Sequence, residues 1–390
     1  MPKQKQPIST AASSSVSALP VPPAPIDTVL LDLYTDYLIS SYSSTTATGM
    51  SASLDHVISH DTITRFLSAR EYTNKDLWKL VKPVIRQVET DDGVLSLDDT
   101  IEEKAYTDEN DIIAWHFDHT VGRSVKGVNI VNCVYTNAHA TVPLGMVIVE
   151  KDVPFTDPNT GKTKRKSSVT KNEIARDLIG ATINNQVKWS YVLADSWFSS
   201  QENMEFVIGK GRHFVFALKS NRTAAINLEQ KRKGVFQAVE SLDWETQPVQ
   251  MVYLKGMNVP VKVTRQIFTN EDGTTGILYL ATDDLTLGYT EITAIYQKRW
   301  KVEEYHKSIK TNIGLAKSPT KTVTSQSNHF FASAVAYHKL ERLSHATKTN
   351  QFALKAKLYI KALQASQREL TRLREIAGAS YSVGFSGGFA

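Results

Sequence analysis

The order of apolar and polar positions divides the chain into a helical part followed by a β-rich part. Residues 28–40 and 75–88 repeat apolar side chains at helical spacing, and a Ser/Thr-rich break covers residues 41–53. After Asp91-Asp92-Gly93 the texture changes to short runs rich in β-branched residues. These runs are residues 94–97, 128–135 and 142–149. A small helical domain is therefore predicted before three successive strands.

Residues 171–218 alternate between the apolar spacing of a helix and that of a strand. It predicts a helix at 171–185, a strand at 191–194, a helix at 201–210 and a strand at 213–218. Three strands, helix, strand, helix, strand is the element order of an RNase H-like α/β sheet. Other α/β folds share this order, so the element order alone does not exclude them.

From residue 221 the pattern is β-like again, and it returns to helix at Thr290. Three runs there predict strands: residues 250–254, 259–268 and 275–282. Asp272-Gly273 is a hairpin signal between the last two. Further helices are predicted at 328–344 and 352–377.

Together these elements predict an α/β protein with an RNase H-like mixed sheet flanked by helices. A helical N-terminal domain precedes the sheet, and a β-rich insertion precedes the last helix of the core. Residues 61–70, with Asn74 as a possible helix cap, fit a helix-turn-helix that reads DNA, although any small helical domain gives a similar pattern. The predicted parts are a disordered Ser/Ala/Pro-rich tail at 1–25, a helical domain at 26–90 assigned to DNA binding by analogy, a core at 91–220 and 288–345, an insertion at 221–287, and a C-terminal helical region and tail at 346–390.

Composition narrows the class of protein. A chain of 390 residues with 41% hydrophobic and 22% charged content can bury a sizeable core in two or three domains. No apolar run approaches the length of a membrane span, and residues 1–25 lack the apolar block of a secretory signal, so we expect a cytoplasmic protein without a membrane partner. The single Cys133 excludes a disulfide framework and a cysteine-based zinc site. No P-loop or Gly-x-Gly-x2-Gly motif supports an ATP-driven or nicotinamide enzyme.

Basic residues cluster more than the mild net charge of +5 suggests. Residues 161–171 contain five basic side chains and no acid, which fits a solvated loop and a phosphate-tracking surface about equally well. Residues 296–321 contain seven Lys or Arg against two Glu, with aromatic residues between them. Aromatic rings beside cations suit an unpaired or flipped base, so the second cluster favours a nucleic-acid partner.

The second cluster begins with the pattern Tyr296-x2-Arg299-x3-Glu303-x6-Lys310. On a continuous helix these four side chains lie within roughly a 60° arc. One carboxylate then stands among groups that bind phosphate, as a site for DNA and a metal ion needs. An ordinary amphipathic surface helix would show a similar charged face.

Two further carboxylates fall where α/β sheets place their sites. Asp99 is predicted to end the first strand and Asp195 the fourth, at the carboxyl edge of the sheet. With Glu303 they offer the oxygen ligands that suit Mg²⁺. Each aspartate alone would also serve as a turn or helix-cap residue, whereas His116-x2-His119 lacks a second ligand set and is expected in a strand or loop.

The Tyr-Arg-Glu-Lys pattern resembles the signature of the DDE transposases of the IS4 type. The resemblance runs from Leu-Asp-Asp-Thr at 97–100 through Leu-Ala-Asp-Ser-Trp-Phe at 193–198 to Lys310. It implies a metal-binding and catalytic triad of Asp99, Asp195 and Glu303. Asp99 is preferred to the adjacent Asp98 because the family aspartate directly precedes a Thr. The implied cofactor is two Mg²⁺ ions, with Mn²⁺ as a substitute.

The same resemblance assigns the DNA contacts. Tyr296, Arg299 and Lys310 would bind phosphates near the cleaved end, and Trp300 would hold a flipped base, with Trp244 as a weaker candidate.

The implied activity is that of an insertion-sequence transposase, an endonuclease of DNA recombination that hydrolyses the phosphodiester at each element end. The freed 3′-hydroxyl then attacks DNA, commonly through a hairpin in a cut-and-paste route. The expected partners are double-stranded DNA and a second copy of the chain, in a nucleoid-associated cytoplasmic complex. A catalytically silent DNA-binding relative and an RNase H-like nuclease without strand transfer remain as alternatives.

Overall fold

The computed structural model of the protein describes residues 25–119, 121–270 and 272–376. The predicted tail at 1–25, except for Pro25, and the end of the predicted C-terminal region at 346–390, from residue 377 on, lie outside these described residues. Within them, one large mixed sheet carries helices on both faces. No helix of the described part is long and apolar enough to cross a bilayer.

Five strands form the centre of the sheet, in the spatial order β4–β3–β1–β7–β8. β3 runs antiparallel to β1 and β4, whereas β7 and β8 run parallel to β1. A mixed sheet in this order is the RNase H-like arrangement, and the predicted fold is therefore confirmed. The five strands are β1 (Val94–Glu103), β3 (Arg123–Thr136), β4 (Thr141–Ile148), β7 (Tyr191–Ala194) and β8 (His213–Leu218). A further strand, β2 (Ala114–Asp118), pairs with the first residues of β3 at the edge of the sheet.

The first strand is longer than its apolar run predicts. β1 continues past Leu97 because β3 pairs with all ten of its residues, from Val94 opposite Thr136 to Glu103 opposite Gly127. Its parallel partner β7 stops at Ala194, opposite Leu97. The prediction that Asp99 ends the strand is therefore wrong, since both Asp98 and Asp99 lie inside it.

Alternation along the strands separates two apolar layers. Leu95 and Leu97 point to one face, where α5 (Lys171–Asn184), α6 (Gln201–Gly209) and the N-terminal helices pack. Val94 and Leu193 point to the other face, under α8 (Tyr289–Gln297). α9 (Trp300–Ser308) covers that same face further along β3.

The N-terminal helices pack against the core. They are α1 (Thr28–Ser40), α2 (Ala47–Ser53), α3 (His60–Ser68) and α4 (Asn74–Val88). The buried Asn328 side chain donates hydrogen bonds to the carbonyls of Leu67 and Arg70 and accepts one from the Tyr72 amide. Thr73, not Asn74, caps α4, because Asp76 completes a capping box with it. A DNA-reading role for this unit stays a prediction.

The insertion extends the main sheet instead of forming a separate one. β13 pairs antiparallel with β8, and the strands continue outward in the order β12, β11, β9, β10. The predicted hairpin at Asp272-Gly273 is confirmed by the pairing of β12 with β13, and Gly273 has the positive φ of +81° that its turn requires. The elements are β9 (Thr223–Ala225), α7 (Leu228–Lys233), β10 (Gln237–Ala238), β11 (Val249–Leu254), β12 (Val261–Thr269) and β13 (Thr275–Thr282).

The C-terminal part is helical and contains the charged pattern. The expected single helix is interrupted at Lys298 and Arg299, whose amides bond three residues back, between α8 and α9. A π-helical segment, Ile309–Ile313, then extends α9 and includes Lys310. α10 (Val323–Thr347) is largely buried and α11 (Gln351–Ile376) is largely exposed.

Candidate active site

Three carboxylates converge where β7 ends. Leu97 lies beside Ala194 in parallel register, so the next residues, Asp98 and Asp195, also lie side by side. Both side chains point to the face of the sheet that α9 covers. Glu303 reaches the same point from the first turn of α9. Arg299 joins them: its two terminal nitrogens lie 3.1 Å from an Asp98 oxygen and 3.1 Å from a Glu303 oxygen.

Asp99 belongs to the opposite face of the sheet. Its carboxylate lies 2.7 Å from the Lys171 ammonium at the start of α5 and accepts a 2.8 Å hydrogen bond from the Asn129 amide. Strand alternation causes this, since neighbouring residues in β1 point to opposite faces. The geometry groups Asp98 with Asp195 and Glu303 around Arg299, whereas Asp99, which lines the same cavity, is paired with Lys171.

The grouped carboxylates repel one another in a buried setting. Asp98 is 9% exposed, and burial raises its pKa well above the usual range, with the nearby Glu303 charge adding to the effect. Burial also raises the pKa of Asp195, although the amides of Trp197 and Phe198 donate to its carboxylate. Arg299 offsets only part of this repulsion. A divalent cation would neutralise the remainder.

The donor set fits a divalent metal ion. Asp98, Glu303 and His306 each offer one ligand atom, and these three atoms lie within 4.8 Å of one another. Burial lowers the pKa of His306 to about 3, so its imidazole is neutral. Its Nε2 lies 3.0 Å from the Asn132 amide nitrogen. The two carboxylates are the oxygen ligands that Mg²⁺ and Mn²⁺ prefer, whereas an imidazole ligand is more typical of Zn²⁺ or Fe²⁺.

The other residues of the charged pattern have separate environments. Tyr296 is buried against Ile292 and the sheet, where burial raises its pKa to about 12, and the Arg299 guanidinium lies 5.7 Å from the centre of its ring. The Lys310 ammonium donates a 2.8 Å hydrogen bond to the Ile101 carbonyl. Tyr296 thus supports Arg299 from the core.

The two candidate tryptophans differ in access. Trp300 is 63% exposed and lines a cavity of about 760 Å³ beside Lys298 and Arg299. Trp244 is buried, and its indole N–H donates to the Val239 carbonyl. Trp244 therefore has no free ring face for a base.

A cavity of about 990 Å³ contains the carboxylate group. Six basic side chains line it: Lys151, Lys171, Lys219, Arg299, Lys307 and Lys310. Of these six, Arg299 and Lys310 are the two to which the sequence resemblance assigned DNA contacts. A deep site with both carboxylates and cations suits a metal-assisted reaction on a polyanion.

Sequence reasoning did not identify His306, Asn132 and Lys171 as site residues. The spacing Glu303-x2-His306 was available as a signal, because residues three apart share a helix face. Asn132 has no such signal, since only the pairing of β1 with β3 brings it beside Asp98 and within 3.0 Å of His306. Lys171 was predicted only as a member of the first basic cluster, and the docking of α5 brings it to the cavity.

The first basic cluster is part of a hairpin. β5 (Val153–Thr156) pairs with β6 (Thr163–Lys166), and Gly161 has the positive φ of the turn. Lys164 pairs with Asp157 and Arg165 with Asp111, so two of its cations have acidic partners. Lys171, beyond the hairpin, is the member that reaches the cavity.

An RNase H-like sheet with converging carboxylates defines a nuclease-type protein. The family model described as DDE superfamily endonuclease matches residues 28–234, more than half of the chain, and the chain belongs to this family. The model described as transposase DDE domain matches residues 155–338. The first match contains Asp98, Asp99 and Asp195, and the second contains Asp195 and Glu303. No curated protein matches the chain.

Proposed function

We propose that the protein is a DNA transposase of the IS4 type, with Asp98, Asp195 and Glu303 as its catalytic and metal-binding carboxylates. The observation that carries the proposal is their convergence around Arg299 inside a cation-lined cavity. Asp98 takes the role first expected of Asp99, which the Lys171 and Asn129 contacts hold on the other face.

The three carboxylates would hold two Mg²⁺ ions, or Mn²⁺ in their place. Bound there, the metal ions supply Lewis-acid activation of water and stabilise the leaving oxygen. Arg299 and Lys310 stabilise the negative charge that grows on the reacting phosphate. The planar guanidinium also fixes Asp98 relative to Glu303, which an ammonium cannot do equivalently.

Trp300 is proposed as the ring that holds a flipped base. Its exposed indole and the adjoining cavity of about 760 Å³ offer room for one nucleobase next to Arg299. The base would leave the duplex beside the phosphate that reacts.

The proposed reaction has two stages. Water attacks the phosphodiester at the element end, and the bond between phosphorus and the element's terminal O3′ breaks, which leaves a 3′-hydroxyl on the element and a 5′-phosphate on the flanking strand. That hydroxyl then attacks the phosphodiester of the opposite strand, which gives a hairpin and releases the flanking DNA. Water reopens the hairpin and regenerates the 3′-hydroxyl, which finally attacks a phosphodiester of target DNA. The reaction acts on double-stranded DNA of the nucleoid.

Two alternatives make different use of the same fold. A silent DNA-binding relative would need the cations of the cavity but not its carboxylates. A simple nuclease would need the carboxylates but not the Trp300 cavity beside Arg299. The presence of both features supports the transposase.

End cleavage by the wild-type protein tests the proposal. Duplex DNA carrying the element's own ends, incubated with purified protein and Mg²⁺, is expected to show nicks at the ends that leave 3′-hydroxyls. The nicks should vanish with EDTA. Binding to the ends without any nick would favour the silent DNA-binding protein.

We infer that two copies act together, since two element ends must be joined. The exposed helix α11 offers a contact surface: Ala356, Tyr359, Leu363, Ser366, Leu370 and Leu373 recur at alternating spacings of three and four. In a parallel pair of helices, Glu369 of one copy would lie near Arg374 of the other, which is a favourable charge match.

Substitution on this face is expected to leave a monomer. Leu363→Lys with Leu370→Lys should shift the mass measured by light scattering on a sizing column from dimer to monomer. Gln364→Lys, on the same helix but outside the apolar face, should leave the dimer unchanged. A monomeric wild type, with or without DNA ends, would contradict this interface.

A further inference from the structure

Three aromatic rings form a strip at the mouth of the carboxylate cavity. The Phe117 and His119 rings lie 4.8 Å apart, centre to centre, and the His119 and Trp197 rings lie 5.9 Å apart. All three side chains line the cavity that contains Asp98, Asp195 and Glu303. Neither the charged pattern nor the assigned flipped-base position at Trp300 includes them.

The rings of the strip are exposed to solvent, whereas apolar rings are usually buried. Phe117 is 54% exposed and Trp197 is 47% exposed. Phe117 projects from β2, the edge strand of the sheet, and Trp197 follows Asp195 in the loop after β7. Neither ring contributes to the packed clusters of the core. Their position therefore calls for a ligand with flat apolar faces.

Two ammonium groups beside the strip favour an anionic ligand. The Lys171 ammonium lies 5.2 Å from the centre of the Trp197 ring, and Lys151 lines the same cavity and donates to the Trp115 carbonyl. Rings interleaved with ammonium groups match a chain that alternates bases with phosphates. A duplex hides the faces of its bases, so the fitting ligand is single-stranded.

We propose that Phe117, His119 and Trp197 form a binding subsite for unpaired DNA next to the catalytic carboxylates. The inference rests on the proposed function for its choice of DNA, and it adds a second stacking position in a different cavity from that beside Trp300. Bases of a strand that has left the duplex stack on the rings while Lys151 and Lys171 contact its phosphates. The subsite holds the strand near the reacting phosphate.

Binding of a labelled oligonucleotide tests the subsite without catalysis. Fluorescein-labelled single-stranded (dT)10 is titrated with full-length protein in EDTA and followed by anisotropy. The double variant Phe117→Leu with Trp197→Leu is expected to bind at least about tenfold more weakly than wild type. Each base that stacks on an aromatic ring contributes strongly to the binding free energy. Trp115→Leu is the matched control: this ring is equally exposed on the same strand but lies outside the cavity lining, so wild-type affinity is expected.

A stacking readout separates ring contact from a general loss of structure. One 2-aminopurine in the oligonucleotide should be quenched by wild type and by Trp197→Phe, but not by the double variant. Equal binding and quenching by wild type and the double variant would overturn the subsite. Ring-dependent binding without any end nicking would leave the subsite standing and remove the proposed function, whereas nicking with ring-independent binding would do the reverse.

Discussion

Glu303→Gln is expected to abolish end cleavage. The substitution keeps the size of the side chain but removes the charge that faces Asp98, Arg299 and the metal position. Losing one group that stabilises the transition state typically costs about 10²–10³-fold in rate, and loss of a metal ligand adds to this. The measurement is the rate of Mg²⁺-dependent nicking of element-end DNA.

Binding of Mn²⁺, followed by electron paramagnetic resonance, gives an independent readout of the same variant. The affinity of Glu303→Gln for Mn²⁺ should fall by at least about tenfold, since loss of a residue that only hydrogen-bonds to a metal ligand already lowers metal affinity by that much. Glu229→Gln is the control, because Glu229 is an exposed residue of α7 that pairs with Lys233 and lines neither the carboxylate cavity nor the Trp300 cavity. Wild-type nicking and Mn²⁺ affinity in Glu303→Gln would remove this residue from the site.

Asp98→Asn and Asp99→Asn are expected to behave differently although the residues are neighbours. Asp98→Asn removes the carboxylate that Arg299 holds beside Glu303, so nicking should fall by about 10²–10³-fold. Asp99→Asn weakens the contact with Lys171 on the other face and should keep activity within about tenfold of wild type.

The pair also tests the alternative taken from the sequence resemblance. If Asp99→Asn loses both nicking and Mn²⁺ binding while Asp98→Asn keeps them, the first assignment is correct and the grouping by sheet face is misleading. Thermal unfolding of both variants checks that each is folded. Comparable melting temperatures allow the two activities to be compared directly.

Much of the fold could be predicted from local pattern. The strands at 191–194, 213–218 and 275–282 agree with the observed bounds, because each is an apolar run ended by turn residues or polar residues. Helix α1 at 28–40 also agrees. The bounds of β2 were not predicted, because its alternating pattern is only five residues long. His116 lies in this strand, in agreement with the expectation of a strand or loop.

The choice between Asp98 and Asp99 could not be made from the sequence. It depends on which face of β1 α9 covers, and that follows from the pairing of β1 with β3 and β7. The same limit applies to Tyr296, because helical spacing places it beside Arg299 but does not tell that it is buried. Long-range pairing, not local periodicity, decides both points.

Strand transfer with a precleaved end distinguishes a transposase from a nuclease of the same fold. A duplex that already ends in the element's free 3′-hydroxyl is mixed with the protein, Mg²⁺ and supercoiled plasmid. We expect plasmid covalently joined to the duplex by wild type and by Glu229→Gln, and none by Glu303→Gln. Plasmid that is nicked but never joined would contradict the transposase and leave a nuclease of the same fold.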